Sequence, residues 1–258
     1  MILFFKNKNL PKDEYEEVFR SEDYICEFVA PLQSSFCGLD ALYDALYSSS
    51  EPKWSGIICT SQRAVEALQQ CMKGKESEKI VNGVIDVYAV GPATASKMQK
   101  LGFNKVRGSD ASGNAEQLAE FIINGRDRSL LLEKPLLFLV GDKTRDVMVD
   151  KLTIAQIPVT TLQVYKTEQR SDAISELNSI ITRANQQNGV FWCVFFSPSG
   201  IDVVKDCLLS ISEIEIIRIA SIGQTTAKHA RSLGFTVDAI AQRPTASSLC
   251  ESIKFREK

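Results

Sequence analysis

Residues 89–103, AVGPATASKMQKLGF, recur without a gap as residues 221–235, SIGQTTAKHARSLGF, and this internal repeat is the main evidence for the fold. The two stretches lie 132 residues apart and agree at six positions. Other parts of the chain recur in the same order: Thr60–Arg63 with Phe196–Ser199, Asn114–Leu118 with Thr245–Leu249, and 2–30 with 136–165. The repeat predicts two similar halves, each a strand–helix–strand unit followed by three strand–helix units.

Short apolar runs alternate with amphipathic stretches along both halves. The predicted strands are Ile2–Phe5, Ile25–Ala30, Ile57–Thr60, Asp86–Val90, Leu136–Val140, Thr160–Tyr165, Val190–Phe196, Ile216–Ile222 and Val237–Ile240. Continuous apolar strands separated by helices are typical of parallel sheets covered on both faces. The sequence therefore predicts an α/β protein with mostly parallel sheets flanked by helices.

Two polar segments, Leu32–Ser35 and Lys166–Ser171, lie roughly opposite each other in the repeat. If the chain crosses between domains at both points, residues 36–165 form an inserted domain. Residues 1–35 and 166–258 then form the other domain, which is discontinuous. A simple division near residue 130 is the competing possibility on these residues alone.

The composition limits the partners and the compartment. Thirty Lys and Arg against 32 Asp and Glu give a net charge of −2, which argues against nucleic acid or an anionic membrane as the main partner. A small polyanion needs only a local cluster of donors. Seven cysteines without a C-x-x-C pair, two of them in apolar runs, indicate reduced, buried thiols. With no signal-peptide pattern and no membrane-length apolar run, we expect a cytoplasmic protein.

Small residues stand where the predicted strands give way to helices. Ser61 and Ser197 are at N-cap positions, and within the repeated stretches Gly91-Pro92-Ala93-Thr94 has the same form as Gly223-Gln224-Thr225-Thr226. Unpaired N–H groups and a partial positive charge at a helix N-terminus bind carboxylates or phosphates. Such turns gather at the carboxyl ends of parallel strands, so four matched turns favour an anionic ligand.

Other chemistry has little support in the sequence. The one histidine, His229, lies inside a predicted helix, so histidine metal sites and a Ser-His-Asp triad lack their parts. The phosphate and dinucleotide motifs G-x-x-x-x-G-K-[ST] and G-x-G-x-x-G do not occur. The turn Gly141–Arg145 places Lys143 and a second cation on the expected ligand side.

Taken in order, the motifs resemble the uroporphyrinogen-III synthase family. The matching stretches are Thr60-Ser61-x-Arg63-Ala64, Val90-Gly91-x-Ala93-Thr94-Ala95, Gly113-Asn114-Ala115-Glu116-x-Leu118, Val164-Tyr165, Phe196-Ser197-Pro198-Ser199-Gly200 and Ile222-Gly223-x-Thr225-Thr226-Ala227. They extend from about residue 56 to 253, and each is weak alone but specific as a series. Gln224 departs from the proline common in the family. The change is expected to be tolerated because a backbone N–H acts there.

The resemblance implies two α/β domains joined by a two-stranded linker, with the active site in the cleft between them, and so favours the interlocked division. It implies a lyase acting on hydroxymethylbilane, a linear tetrapyrrole with eight carboxylates. Loss of water gives an azafulvene, ring D attacks through its substituted α-carbon, and a spirocyclic intermediate recloses with ring D inverted. No metal or cofactor is implied, and we expect a monomer.

The resemblance and the motifs together assign the site residues. Tyr165 is the candidate catalytic acid, because its phenol could donate a proton to the departing hydroxyl. The candidate substrate-binding residues are Ser61, Arg63, Thr94, Lys143, Ser197, Ser199, Thr225 and Thr226. Two other functions stay open on the residues: a two-domain small-anion binding or sensor protein, and a serine hydrolase using Ser197.

Overall fold

The computed structural model describes residues 1–48, 53–73, 86–125, 133–143, 147–185, 191–210 and 217–257. In chain order the elements are β1 (Ile2–Phe5), α1 (Glu14–Arg20), β2 (Cys26–Phe28), β3 (Leu32–Phe36), α2 (Leu39–Tyr47), β4 (Gly56–Cys59), α3 (Gln62–Met72), β5 (Asp86–Ala89), α4 (Gly91–Lys100), β6 (Val106–Arg107), α5 (Ala115–Ile123), β7 (Leu136–Gly141), α6 (Val147–Ile154), β8 (Val159–Gln169), α7 (Ala173–Asn185), β9 (Phe191–Phe195), α8 (Pro198–Leu209), β10 (Ile217–Ser221), α9 (Gln224–Ser232), β11 (Ala239–Ile240) and α10 (Ala246–Glu257). Strands and helices alternate almost throughout, as the apolar runs predict.

The chain forms two compact units. Unit 1 comprises Met1–Gln33 and Glu168–Lys258, and unit 2 comprises Ser34–Thr167. The chain passes from one unit to the other within β3 and again within β8. These two neighbouring strands run in opposite directions, since Cys37 N–H donates to Val164 O and Arg170 N–H to Pro31 O.

Unit 1 is built on a parallel five-stranded sheet in the order β11-β10-β9-β1-β2. Its strands are apolar on both faces because each face packs against helices. Side chains of α7, α8 and α9 cover one face, around Phe5 and Phe195. Side chains of α1 and α10 cover the other face, around Phe4 and Trp192.

Unit 2 repeats this arrangement on a six-stranded sheet in the order β3-β8-β7-β4-β5-β6. The pairings among β4, β5, β6, β7 and β8 are parallel. Helices α2, α3 and α4 cover one face, and α5 and α6 cover the other. The predicted fold class, parallel sheets flanked by helices in an α/β protein, is confirmed.

All nine predicted strands form, but the structure adds two that the sequence pattern did not indicate. β3 occupies the segment that was read as a polar connection, and β6 has only two residues. The residues Val190 and Ile216, at the starts of two predicted strands, lie outside the described residues. None of the seven cysteines, which all lie within the described residues, forms a disulfide, and burial raises the pKa of the Cys59 thiol to about 12.

Candidate functional site

The carboxyl ends of the parallel strands form one edge of each sheet. In unit 2, Cys59 at the end of β4 pairs with Ala89 at the end of β5. In unit 1, Phe195 at the end of β9 pairs with Ser221 at the end of β10. The turns that follow these residues are therefore neighbours within their own unit. Each unit brings together one serine turn and one glycine turn of the sequence repeat.

The serine turns are helix N-caps, as predicted. Ser61 precedes α3 with extended backbone, and its Oγ accepts the N–H of Arg63 at 3.2 Å. Ser197 precedes α8, and its Oγ accepts the N–H of Gly200 at 3.3 Å and lies 3.4 Å from Ser199 Oγ. Each serine satisfies one of the first N–H groups of its helix, so others remain to bind an acceptor at the edge. Arg63, in the first turn of α3, is exposed.

The glycine turns begin helices that have no side-chain cap. Val90 precedes α4 and Gly223 precedes α9, and neither provides a side-chain acceptor. A Cβ built on Gly91 or Gly223 would meet no heavy atom within 4 Å. Gly91 also needs to be glycine because its φ is +72°. The Gly91 N–H already donates to Ser112 O at 3.0 Å, so the donors beside this open space at α4 come from the residues that follow. N–H groups of the first turn beside open space suit a bound carboxylate.

The three predicted threonines differ in accessibility. Thr94 and Thr226 occupy equivalent positions of the repeat and are only 5% and 4% exposed, whereas Thr225 is exposed. Little of Thr94 or Thr226 is therefore open to a ligand. All three are predicted from their positions in the repeat, which alone does not distinguish the two buried threonines from the exposed one.

Tyr165 and Lys143 come to the same corner of unit 2. Lys143 is exposed in the turn after β7, two residues beyond Gly141. Tyr165 on β8 is half-buried and pairs directly with Gly141 across the two strands. Thr144 and Arg145, the rest of the predicted cationic turn, lie outside the described residues.

Sequence reasoning missed Lys6, which follows β1 at the carboxyl edge of unit 1. Its Nζ lies 2.5 Å from Asp13 Oδ2, and both side chains are largely buried. Three aromatic rings lie within 6 Å of the ammonium: Tyr15 at 4.8 Å, Phe196 at 5.6 Å and Phe28 at 5.7 Å. The signal was present in the repeat, since β1 corresponds to β7 and a lysine follows each strand.

Asp13 anchors the loop that carries Lys6. Its carboxylate accepts the N–H groups of Asn9 at 2.9 Å and Tyr15 at 3.0 Å, and so caps α1. Burial alone would raise the pKa of Asp13, but these N–H donors and the Lys6 ammonium lower that pKa below its ordinary value. The aspartate is therefore held ionised, and the loop between β1 and α1 is fixed in place.

The described residues contain no group of three or more His, Cys, Asp or Glu side chains that could hold a metal ion. The imidazole Nε2 of His229 lies 2.8 Å from Asp202 Oδ1, between α9 and α8. Ser197 Oγ has its contacts with Gly200 and Ser199 instead. Within the part of the chain that the structure describes, the serine and the histidine form no catalytic pair. None of the described helices has both the length and the apolar character needed to cross a membrane.

Fold and turns together define a two-unit α/β protein in which open helix N-termini line the carboxyl edge of each sheet. The sequence model of the family described as Uroporphyrinogen-III synthase HemD matches residues 13–251. The chain belongs to the uroporphyrinogen-III synthase family. It is accordingly a lyase of heme and porphyrin biosynthesis that cyclises hydroxymethylbilane to uroporphyrinogen III.

Two curated relatives and one solved structure agree with this assignment. The uroporphyrinogen-III synthase of Saccharomyces cerevisiae is 32% identical over 269 residues, covering 100% of this chain and 96% of the relative. The Schizosaccharomyces pombe enzyme is 32% identical over 254 residues, covering 97% and 95%. The crystal structure of the synthetase from Helicobacter pylori has the same fold, with a TM-score of 0.58, 19% identity and coverage of 100% and 99%.

Proposed function

We propose that the carboxylates of hydroxymethylbilane bind at the carboxyl edges of both sheets. The observation that carries this proposal is the pair of uncapped, open helix starts at Gly91 and Gly223, one in each unit. The serine turns at Ser61 and Ser197 add a second set of N–H donors beside them. A flexible substrate with eight carboxylates needs many weak donors spread over two surfaces, rather than one strong site.

The two connections between the units attach to each sheet at the same kind of edge. In unit 1 the chain leaves toward β3 after β2, at the carboxyl edge of that sheet. In unit 2 the chain leaves within β8, just beyond Tyr165, the last residue of β8 that pairs with β7, and so again at the carboxyl edge. Both connections thus attach to the edges that carry the donor turns. We therefore propose 36–165 as the inserted domain and 1–35 with 166–258 as the other, a division supported by the two crossings of the chain within β3 and β8.

Holding the substrate in the reactive conformer is the main catalytic task. The azafulvene forms readily, and the free chain closes without inverting ring D. The choice of isomer III over isomer I then depends on presenting the substituted α-carbon of ring D to the azafulvene carbon. Positioning of this kind supplies several kcal/mol. Among the proposed contacts, Arg63, Lys143 and the exposed Thr225 supply side-chain donors. Ser199, which lies beside Ser197 Oγ, supplies another.

Tyr165 is our candidate for the acid that assists loss of water. It stands at the carboxyl end of the sheet of unit 2, it is half-buried, and its ring packs over Gly141 at the start of the cationic turn. A positioned general acid contributes roughly 10²–10⁴-fold. Dehydration and ring closure change no oxidation state, so the proposed reaction needs no redox cofactor.

The test is the Tyr165→Phe variant, assayed with hydroxymethylbilane, followed by oxidation and separation of the uroporphyrin isomers. We expect a marked fall in kcat with isomer III still predominant, because the hydroxyl serves dehydration and the donor turns serve orientation. Wild-type turnover in the variant would leave Tyr165 a packing residue. A folded variant that gives mostly isomer I would instead assign Tyr165 to ring-D orientation.

We also infer a cytoplasmic monomer. Seven cysteines that form no disulfide within the described residues are typical of a reducing compartment. Each sheet is covered on both faces by helices of its own unit, which leaves neither sheet face to a second copy. Light scattering coupled to size exclusion should give a mass near the 28.6 kDa of one chain, and twice that value would contradict the inference.

A further inference from the structure

The pairing of β7 with β8 is irregular at the point where Tyr165 stands. Val140 pairs with Gln163, but the next residue, Gly141, pairs with Tyr165, so Val164 is an extra residue in β8. A bulge of this kind re-aims the side chains that follow it and often lies next to a functional site. Here Val164 and Tyr165 both pack against the same core cluster, although successive residues of a regular strand face opposite sides.

The ring of Tyr165 lies against the backbone of β7 at Gly141. A Cβ built on Gly141 would lie 2.4 Å from Tyr165 Cε2, 2.5 Å from Cζ and 2.8 Å from the phenolic oxygen. Gly141 is not among the glycines with positive φ, so its backbone is open to other residues. The close approach of Tyr165 is therefore the reason that the structure gives for a glycine here.

We propose that Gly141 is a positioning residue, which sets the place of the Tyr165 hydroxyl by leaving room for the ring against the β7 backbone. This inference rests on the proposed role of Tyr165 as the acid. The bulge turns the side chain toward the backbone of β7, and the missing Cβ decides how closely the ring approaches.

The size of the effect follows from the distances. Ordinary van der Waals contact begins at 3.4 Å, so a methyl group at Gly141 would displace the ring from its 2.4 Å position by about 1 Å. Misplacement of a catalytic group by 1 Å costs roughly 10²-fold in rate. The methyl group meets only side-chain atoms of Tyr165 among the nearest contacts, so the ring rather than the strand is expected to move.

The experiment compares Gly141→Ala in two backgrounds, with Tyr165 intact and with Tyr165→Phe. With the tyrosine intact we expect kcat to fall by roughly 10²-fold, with isomer III still predominant. In the Phe background the acid is already absent, so the same substitution should change kcat less than about twofold. Gly56→Ala is the matched control: a Cβ there would lie 2.8 Å from Asp86 O at the amino end of the same sheet, so melting temperature should fall and kcat should not.

The outcomes distinguish the positioning role of Gly141 from the role of Tyr165 as the acid. An equal loss of kcat in both backgrounds, or no loss with Tyr165 intact, overturns the positioning role alone. Wild-type turnover in Tyr165→Phe overturns the acid and the positioning role together. If Gly141→Ala does not fold, Gly141→Ala combined with Tyr165→Ala should melt at the temperature of Tyr165→Ala, because the ring that clashes is gone. A double variant that also fails to fold overturns the inference.

Discussion

Replacing Ser197 with alanine separates ligand binding from helix capping. Ser197 Oγ accepts the N–H of Gly200 at 3.3 Å, longer than the 2.9–3.0 Å typical of such bonds. Loss of an N-cap costs about 0.5–2 kcal/mol, and the long bond puts this cap near the lower limit. At roughly 2–4 °C per kcal/mol for a chain of this size, the melting temperature should fall by about 1–2 °C.

The expected effect on turnover is larger. A hydrogen bond to a charged group contributes about 1.5–3 kcal/mol. Loss of the proposed bond from the Ser197 hydroxyl to a substrate carboxylate should therefore lower kcat/KM by about 10- to 150-fold. Initial rates over a range of hydroxymethylbilane concentrations give kcat/KM, and calorimetry of the same sample gives the melting temperature. Activity should therefore fall much further than the small loss of stability explains.

Ser210→Ala is the control, because it makes the same chemical change at the other end of α8. Ser210 is the C-cap of that helix, and its Oγ donates to Cys207 O at 2.8 Å. It lies at the amino edge of the sheet, where no substrate contact is proposed, so kcat/KM should stay at the wild-type value. Equal kcat/KM in the Ser197 and Ser210 variants would refute the claim that the Ser197 hydroxyl binds substrate.

Three further predictions concern stability and charge. Because the pKa of Asp13 is lowered in the folded chain, its contribution to stability is present above about pH 4 and is lost as pH falls through the folded pKa. In Asp13→Asn, the free energy of unfolding in urea should therefore fall less on acidification than in the wild type. An unchanged dependence of that free energy on pH would contradict the role of Asp13 as the loop anchor. Glu257 accepts the indole N–H of Trp192 at 2.8 Å, so Glu257→Ala should lower the free energy of unfolding by about 1–3 kcal/mol with kcat unchanged, as denaturant titration and steady-state rates will show. Lys143→Ala should raise KM by up to about fivefold and weaken its dependence on salt, since an exposed ion pair contributes at most about 1 kcal/mol; a KM equal to wild type at low salt would remove Lys143 from the site.

The secondary structure was largely predictable because buried parallel strands are continuous apolar runs. β3 was not, because its Gln33, Ser34 and Ser35 are polar and its pairing with β8 comes from the path of the chain between units. β6 has only Val106 and Arg107, too few residues to show an alternating pattern. In both cases tertiary context, rather than local preference, decided the structure.

The candidate site was predictable where the repeat marked it. The capping roles of Ser61 and Ser197 follow from a hydroxyl residue between a strand and a helix, and the structure confirms them. The burial of Thr94 and Thr226 depends on the orientation of a helix on its sheet, which the repeat alone does not give. The contact of Tyr165 with Gly141 depends on a bulge in one strand pairing, for which the sequence has no marker.

The most direct test of the account is the identity of the product. The purified chain is incubated with hydroxymethylbilane, the porphyrinogens are oxidised, and the uroporphyrin isomers are separated by chromatography beside a reaction without protein. We expect isomer III to predominate with the chain present and isomer I to form without protein, because the free substrate closes without inverting ring D. Isomer I alone in both reactions, from a sample shown to be folded, would contradict this expectation.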